Sequence, residues 1–334
     1  MNLGILGGGS WGTALAIMWS RHGHQVELWV RNGEQAAQFK EANCNTRYLP
    51  DIPFPDGLHV RTDLEEALRP SVICMAVPLQ AYRAFLTQIK PLLRDDHQLI
   101  LLSKGIELDT HLLPAQIVDE VLGQAWQDRC FTLSGPSFAL EVAQDKPTTV
   151  VLAGPHQERL AHLQGHLNSP RFRMYRNTDV VGVELCGALK NVIAIAAGIT
   201  TGMDLGANTL AGLITRGLSE ISRLGVALGA QQETFAGLAG MGDLILTCNG
   251  KLSRNLRVGM ALAKGYSLEK ILNELGMVAE GVHTSMSAYQ LGQKLKVELP
   301  ITNVVHAILY KELKPHLALE SLMTRSLKSE VNQG

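Results

Sequence analysis

Through the first half of the chain, short apolar runs alternate with stretches of helical spacing. Residues 1–6 contain Leu3, Ile5 and Leu6 in one compact run, which predicts a buried strand, and residues 12–19 predict a helix after it. A second strand is predicted at 25–30 and a polar helix at 33–43. Further buried strands are predicted at 71–76, 98–102, 131–134, 148–153 and 172–175. Residues 50–57, with Pro50, Pro53 and Pro55, predict a stiff loop. Strand alternating with helix implies an α/β fold with a doubly wound sheet. Ligands of such sheets lie beyond the carboxyl ends of the strands. Lys104 and Gly135-Pro136-Ser137 directly follow two of the predicted strands, so they belong to that edge.

Near residue 180 the pattern changes. Strand signals stop, and Leu210, Leu213, Ile214, Leu218 and Ile221 recur on one helical face. Leu268, Ile271, Leu272 and Leu275 do the same, with Ser267 as N-cap and Gly276 as stop. Pro300 introduces another amphipathic helix with Ile301, Val304, Val305, Ile308 and Leu309. Two units follow, an α/β unit over 1–180 and an all-helical unit over 181–334.

Composition narrows the class. With 334 residues, 46% of them hydrophobic, the chain can bury a core in each unit. A net charge of −1 with dispersed charges gives no broad polyanion-binding face, so no nucleic-acid partner is expected and any anion site must be local. The five cysteines are scattered without a C-x-x-C pair, which fits reduced thiols in a cytoplasm and no metal site. The first predicted strand starts at residue 2, so no signal peptide is expected. The longest apolar run, residues 192–199, is far shorter than a membrane span.

The sharpest chemical signal is Gly7-Gly8-Gly9-Ser10-Trp11-Gly12, a G-x-G-x-x-G placed between predicted strand and predicted helix. Gly7 permits the tight turn, Gly9 lets the main chain approach a pyrophosphate, and Gly12 lets the helix pack on the strand. The N–H groups of the helix start then face the anion. The first unit is therefore read as dinucleotide-binding. At the end of the second strand stands Arg31, not an acid; Glu27 lies inside the strand. An arginine there can pair with a 2′-phosphate, which favours NADP(H) while leaving NAD(H) possible.

In the second unit, Lys190 sits mid-way in an apolar helical run. Desolvation would draw its pKa towards neutrality, as proton transfer to a carbonyl oxygen requires; a lysine snorkelling to solvent is the alternative. Asp243 lies in the glycine-rich turn 240–244, where capping is the simpler reading. Ser253-Arg254-Asn255 combines a predicted helix start, a hydroxyl, an amide and a guanidinium, which suits a phosphate. Glu280 falls in a further turn and by itself reads as a surface acid.

Taken in order, the segments at 7–16, 77–78, 102–107, 133–142, 187–198, 237–248, 253–255 and 278–282 closely resemble the NAD(P)-dependent glycerol-3-phosphate dehydrogenases of bacteria. The match spans nearly the whole chain; residues 249–252 are less typical. The resemblance implies a Rossmann domain followed by a helical domain, a homodimer, and reversible reduction of dihydroxyacetone phosphate to sn-glycerol 3-phosphate for glycerophospholipid synthesis. It also implies that Ser10, Trp11, Arg31, Tyr48, Lys104, Ala139, Arg254, Val278 and Glu280 contact the dinucleotide. Lys104, Gly135, Ser137, Lys190, Asp243, Ser253, Arg254 and Asn255 would bind substrate, with Lys190 as proton donor and acceptor. Whether Asp243 orients the lysine or a substrate hydroxyl stays open at this level.

Overall fold

The computed structural model describes residues 1–275, 279–327 and 329–330. Ten strands form in the first half: β1 (Asn2–Leu6), β2 (Gln25–Trp29), β3 (Cys44–Asn45), β4 (Leu49–Pro53), β5 (Leu58–Arg61), β6 (Val72–Met75), β7 (Gln98–Leu101), β8 (Cys130–Ser134), β9 (Thr148–Ala153) and β10 (Phe172–Asn177). Eight of them build one sheet in the order β10-β9-β8-β7-β6-β1-β2-β5. All neighbours run parallel except β8 and β9, which are antiparallel. The last two strands are therefore reversed relative to the rest.

The central strands are buried on both faces, successive side chains entering opposite cores. Leu3 and Ile5 of β1, with Val72 and Cys74 of β6, pack into one core beneath the helix Ser10–Arg21. Leu6, Ile73 and Met75 point the other way, onto the helices Tyr82–Ile89 and Pro114–Leu122. Helices on both faces make the sheet doubly wound.

The proline-rich stretch departs from expectation. Residues 49–53 are not loop but β4, paired antiparallel with β3 (Cys44 opposite Pro53, Asn45 opposite Leu49). Pro50 and Pro53 are exposed, and a proline is tolerated where a short ladder does not need its nitrogen. β5 was not marked by the hydrophobic pattern, since only Leu58 and Val60 of its four residues are buried.

From Val180 onward the described residues form helices and turns. The 23-residue helix Val180–Gly202 is the axis of this half. It is long and apolar enough to cross a membrane, yet 89% of its apolar window is buried within the protein. The helix Arg254–Ala263 crosses it with the backbones in contact. A Cβ on Gly198 would lie 2.1 Å from the Leu256 carbonyl oxygen, and one on Gly259 would lie 2.0 Å from that of Ile195. Only glycines allow that approach, and it brings residues 253–255 beside Asn191. The expected helices at 267–275 and 300–309 are present as Leu268–Leu275 and Pro300–Tyr310, with Ser267 accepting from the Lys270 N–H at 3.3 Å. The expected stop at Gly276 lies outside the described residues.

Candidate active site

The carboxyl ends of β1, β6, β7 and β8 form one edge of the sheet, and the helix Val180–Gly202 runs against it. At β1, Gly7 has φ +130° and a Cβ there would sit 2.6 Å from the Ala76 carbonyl oxygen. A Cβ on Gly12 would lie 2.2 Å from the Gly7 carbonyl oxygen, so helix and loop touch. Gly9 differs: no described heavy atom comes within 4 Å of its Cβ position. The loop is thus closed at its two ends and open at the centre, where the helix starts at Ser10 with no acid in its first turn. Half-buried Trp11 holds its buried ring N–H without a hydrogen-bond partner among the described residues. A cradle of free donors with an open middle fits a dinucleotide pyrophosphate.

Arg31 is exposed just past β2, beside Asn32, which caps the helix Gly33–Ala42 by accepting from the Glu34 N–H at 2.8 Å. Glu27 is occupied elsewhere: its carboxylate pairs with Arg61 at 2.5 Å. The second strand therefore presents no acid at its end for a ribose diol. Tyr48 is half-buried in the turn between β3 and β4, with the Arg47 guanidinium 5.3 Å from its ring centre.

At β7 and β8 the chain brings Lys104, Gly135 and Ser137 to the same edge. Ser137 donates to the Gly135 carbonyl at 3.0 Å, and Ala139 opens the short helix Ala139–Ala143. The stem of Lys104 lies against Gly187, one turn before Lys190; a Cβ on Gly187 would approach Lys104 Cγ to 3.3 Å and Ser134 Oγ to 3.0 Å. The glycine makes room for a lysine from the other half of the molecule.

The centre is a lysine–aspartate–lysine cluster. Lys190 is 7% exposed and Asp243 1%. Lys190 Nζ donates to Asp243 Oδ1 at 2.5 Å and to Thr247 Oγ1 at 2.9 Å, while Lys104 Nζ donates to Asp243 Oδ2 at 2.8 Å. Asp243 opens the helix Asp243–Asn249, directly after the wide π-helical turn Leu238–Gly242. Burial draws the Lys190 ammonium down to about 7; Asp243 opposes the fall and Lys104 adds to it. Burial also works against the Asp243 carboxylate, but Lys104 and Lys190 together hold it below its ordinary range. One carboxylate cannot fully serve two ammoniums, so the less exposed lysine is the one poised to lose its proton.

Beside this cluster, Asn191 Oδ1 accepts from Asn255 Nδ2 at 2.9 Å, and Asn255 Oδ1 accepts from the Gly281 N–H at 3.2 Å. Asn255 is thus a bridge between three helices. Ser253 caps the helix Arg254–Ala263, accepting from the Leu256 N–H at 3.3 Å. Half-buried Arg254 lies within electrostatic reach of both Glu280 and Tyr48. Glu280, the first residue of the helix Glu280–Leu295, accepts from the Leu79 N–H at 3.4 Å through Oε1. Its Oε2 is buried without a partner among the described residues, and burial raises its carboxyl. Glu280 is not the surface acid its turn alone suggested. Val278 lies outside the described residues.

Two participants, Thr247 and Asn191, carried no role assigned from the sequence, and one buried acid, Glu184, stands apart from the cluster. Thr247 gave no signal in an apolar helix, although it stands one turn after Asp243. Asn191, adjacent to Lys190, is a second polar side chain in a buried run. Glu184 lies on the same helix, 4% exposed, accepting from Thr132 Oγ1 at 2.7 Å and from the Ala115 N–H at 3.1 Å.

Two family models cover the chain: NAD-dependent glycerol-3-phosphate dehydrogenase N-terminus over residues 2–160, and the C-terminus of the same family over 179–320. A glycerol-3-phosphate dehydrogenase [NAD(P)+] of Geobacter metallireducens is 49% identical over 329 residues, covering 98% of each chain. That of Nitrosomonas europaea is 48% identical over 334 residues, covering 99% of this chain and 100% of the relative. The crystal structure of glycerol-3-phosphate dehydrogenase from Coxiella burnetii superposes with a TM-score of 0.92 at 40% identity, over 97% of this chain and 99% of that one.

Proposed function

The chain belongs to the NAD-dependent glycerol-3-phosphate dehydrogenase family and is an NAD(P)-dependent oxidoreductase of that activity; from this premise we propose that Lys190 is the proton donor and acceptor of its reaction. The observation that carries the reading is the buried Lys190 ammonium, held by Asp243 and Thr247 beside the strand edge. When bound, a reduced dinucleotide would supply the hydride that the C2 carbonyl of dihydroxyacetone phosphate takes up. As negative charge develops on the carbonyl oxygen, Lys190 stabilises it and gives up its proton, and Lys104 adds positive potential to the same pocket. Asp243 orients the lysines rather than the substrate, since each of its oxygens is already on an ammonium.

Substrate phosphate is assigned to Ser253, Arg254 and Asn255, with Gly135 and Ser137 lining the approach. Fixing a remote phosphate spends binding energy on orientation of C2. The dinucleotide is assigned to the loop containing Gly7, Gly9, Ser10, Trp11 and Gly12, with Arg31, Tyr48, Lys104, Ala139, Arg254, Val278 and Glu280. NADP(H) is the preferred form: Arg31 is exposed at the end of β2, while Glu27 is spent on Arg61. We assign the dinucleotide unit to 1–180 and the substrate unit to 181–334, with work in the cytoplasm supplying the glycerophospholipid backbone. Five free, buried cysteines suit that compartment. A homodimer is the assembly we expect for this chain.

The test follows NADPH absorbance with dihydroxyacetone phosphate in the wild type and in Lys190→Ala. Turnover is expected to fall at least ~100-fold with NADPH affinity little changed. Near-normal turnover in the variant would remove the assignment.

A further inference from the structure

The open glycine loop is held in shape by a residue outside it. Asn45 of β3 is fully buried. Its Nδ2 donates to the Gly8 carbonyl at 3.2 Å and to Thr13 Oγ1 at 2.9 Å, and its Oδ1 accepts from the Tyr48 N–H at 3.3 Å. A carbonyl only accepts and a backbone N–H only donates, so these partners fix which way the amide faces. Gln35 Nε2, from the next helix, approaches the same Gly8 carbonyl at 3.5 Å. Behind Gly8 the space is filled: a Cβ there would come to 2.8 Å from Val30 Cγ2 and 3.3 Å from Phe39 Cε2.

The Gly8 carbonyl and the Gly9 N–H belong to one planar trans peptide, so they point in opposite directions. Tying the carbonyl towards Asn45 turns the Gly9 N–H away from it, and the loop surface at Gly9 is open. We propose that Asn45 is a positioning residue that presets the glycine loop for the dinucleotide pyrophosphate and fastens the Tyr48 turn to the same loop. It acts through the Gly8–Gly9 peptide and touches no ligand. The idea rests on the reading that seats the dinucleotide on residues 7–12. A loop that must be reset on binding spends cofactor affinity on ordering, while the chemical step proceeds as before.

The experiment measures NADPH binding by fluorescence titration, steady-state kinetics and thermal melting on the full-length chain, for wild type, Asn45→Ala, Asn45→Asp and Gly9→Val. Asn45→Asp keeps the shape and the acceptor for Tyr48 but removes the donor to Gly8, so it decides the matter if Asn45→Ala does not fold. The Kd and KM for NADPH are expected to rise about tenfold in each folded Asn45 variant. At saturating NADPH, kcat and the KM for dihydroxyacetone phosphate should stay within about twofold. Unchanged NADPH affinity in Asn45→Asp overturns the proposal. So does a parallel loss in kcat and both KM values, which is the signature of a general packing defect. Gly9→Val separates the two levels. If it leaves NADPH binding intact, the seat of the dinucleotide is wrong and the Asn45 role falls with it. If it abolishes binding while Asn45→Asp binds normally, only the Asn45 role falls.

Discussion

Asp243 and Glu184 are both buried carboxylates serving the helix Val180–Gly202, one wedged between two ammonium groups and the other held, among the described residues, by a hydroxyl and a backbone N–H. Their titration moves in opposite directions. Burial pushes Glu184 up to about 7, against the pull of its Thr132 and Ala115 hydrogen bonds and with a further push from Asp119. Asp243, equally buried, stays below its ordinary range because Lys104 and Lys190 flank it. Neutral donors satisfy a buried carboxylate without keeping it charged; flanking cations keep it charged. The candidate active site uses the second arrangement, and burial there draws Lys190 down to about 7 although Asp243 opposes the fall.

Breaking the charged member should cost most. Asp243→Asn leaves two ammoniums without their counter-charge, so turnover should fall at least ~100-fold and stability near pH 6 by about 3–5 kcal/mol. The stability loss should shrink as pH rises past 7 and Lys190 loses its proton. Calorimetry across that range, with kinetics alongside, checks both; a loss that stays constant with pH would mean the lysines do not share the carboxylate.

The neutral member gives the opposite test. Glu184 has a raised pKa when folded, so its stabilising contribution is greatest below the unfolded value of 4.5 and is lost as pH rises to about 7. Relative to Glu184→Gln, which cannot titrate, the wild type should lose about 3 kcal/mol across that window. A pH-independent difference in melting would show that Glu184 is ionised throughout.

Charges nearer solvent sharpen the contrast at smaller cost. Arg254→Ala should weaken dihydroxyacetone phosphate by about 2 kcal/mol and an unphosphorylated analogue much less. Equal losses for the two would argue against a phosphate seat at residues 253–255. Arg31 is fully outside the core, and Arg31→Glu should move the NADPH-to-NADH preference by only about tenfold. An unchanged ratio would mean that the 2′-phosphate is read elsewhere.

These differences in environment also explain what was legible in the sequence. Gly7, Gly9 and Gly12 could be read because each reports a backbone constraint independent of distant partners. Lys190 stood out because a cation in an apolar helix is conspicuous. Asp243 could be noticed but not interpreted, since its role depends on Lys104, 139 residues earlier in the chain. Thr247 was silent: a threonine donating to the carbonyl four residues back, here Asp243 at 2.6 Å, is ordinary in helices, and only the fold adds Lys190 as its second partner. Glu280 read as exposed because its partner, the Leu79 N–H, lies 201 residues earlier in the chain. The β8–β9 reversal was equally hidden, because strand direction leaves no mark on an apolar run. At residues 49–53 local proline chemistry pointed to loop, and a long-range pairing with β3 prevailed.

The pH dependence of kcat/KM for dihydroxyacetone phosphate reduction tests the role of Lys190 most directly, because it reports the ionisation of the free enzyme. A proton donor with its pKa near 7 requires the reduction to decline above about pH 7, with glycerol 3-phosphate oxidation rising over the same interval. A reduction rate that stays level from pH 7 to about pH 9 would contradict it, since an ordinary lysine remains protonated over that whole interval.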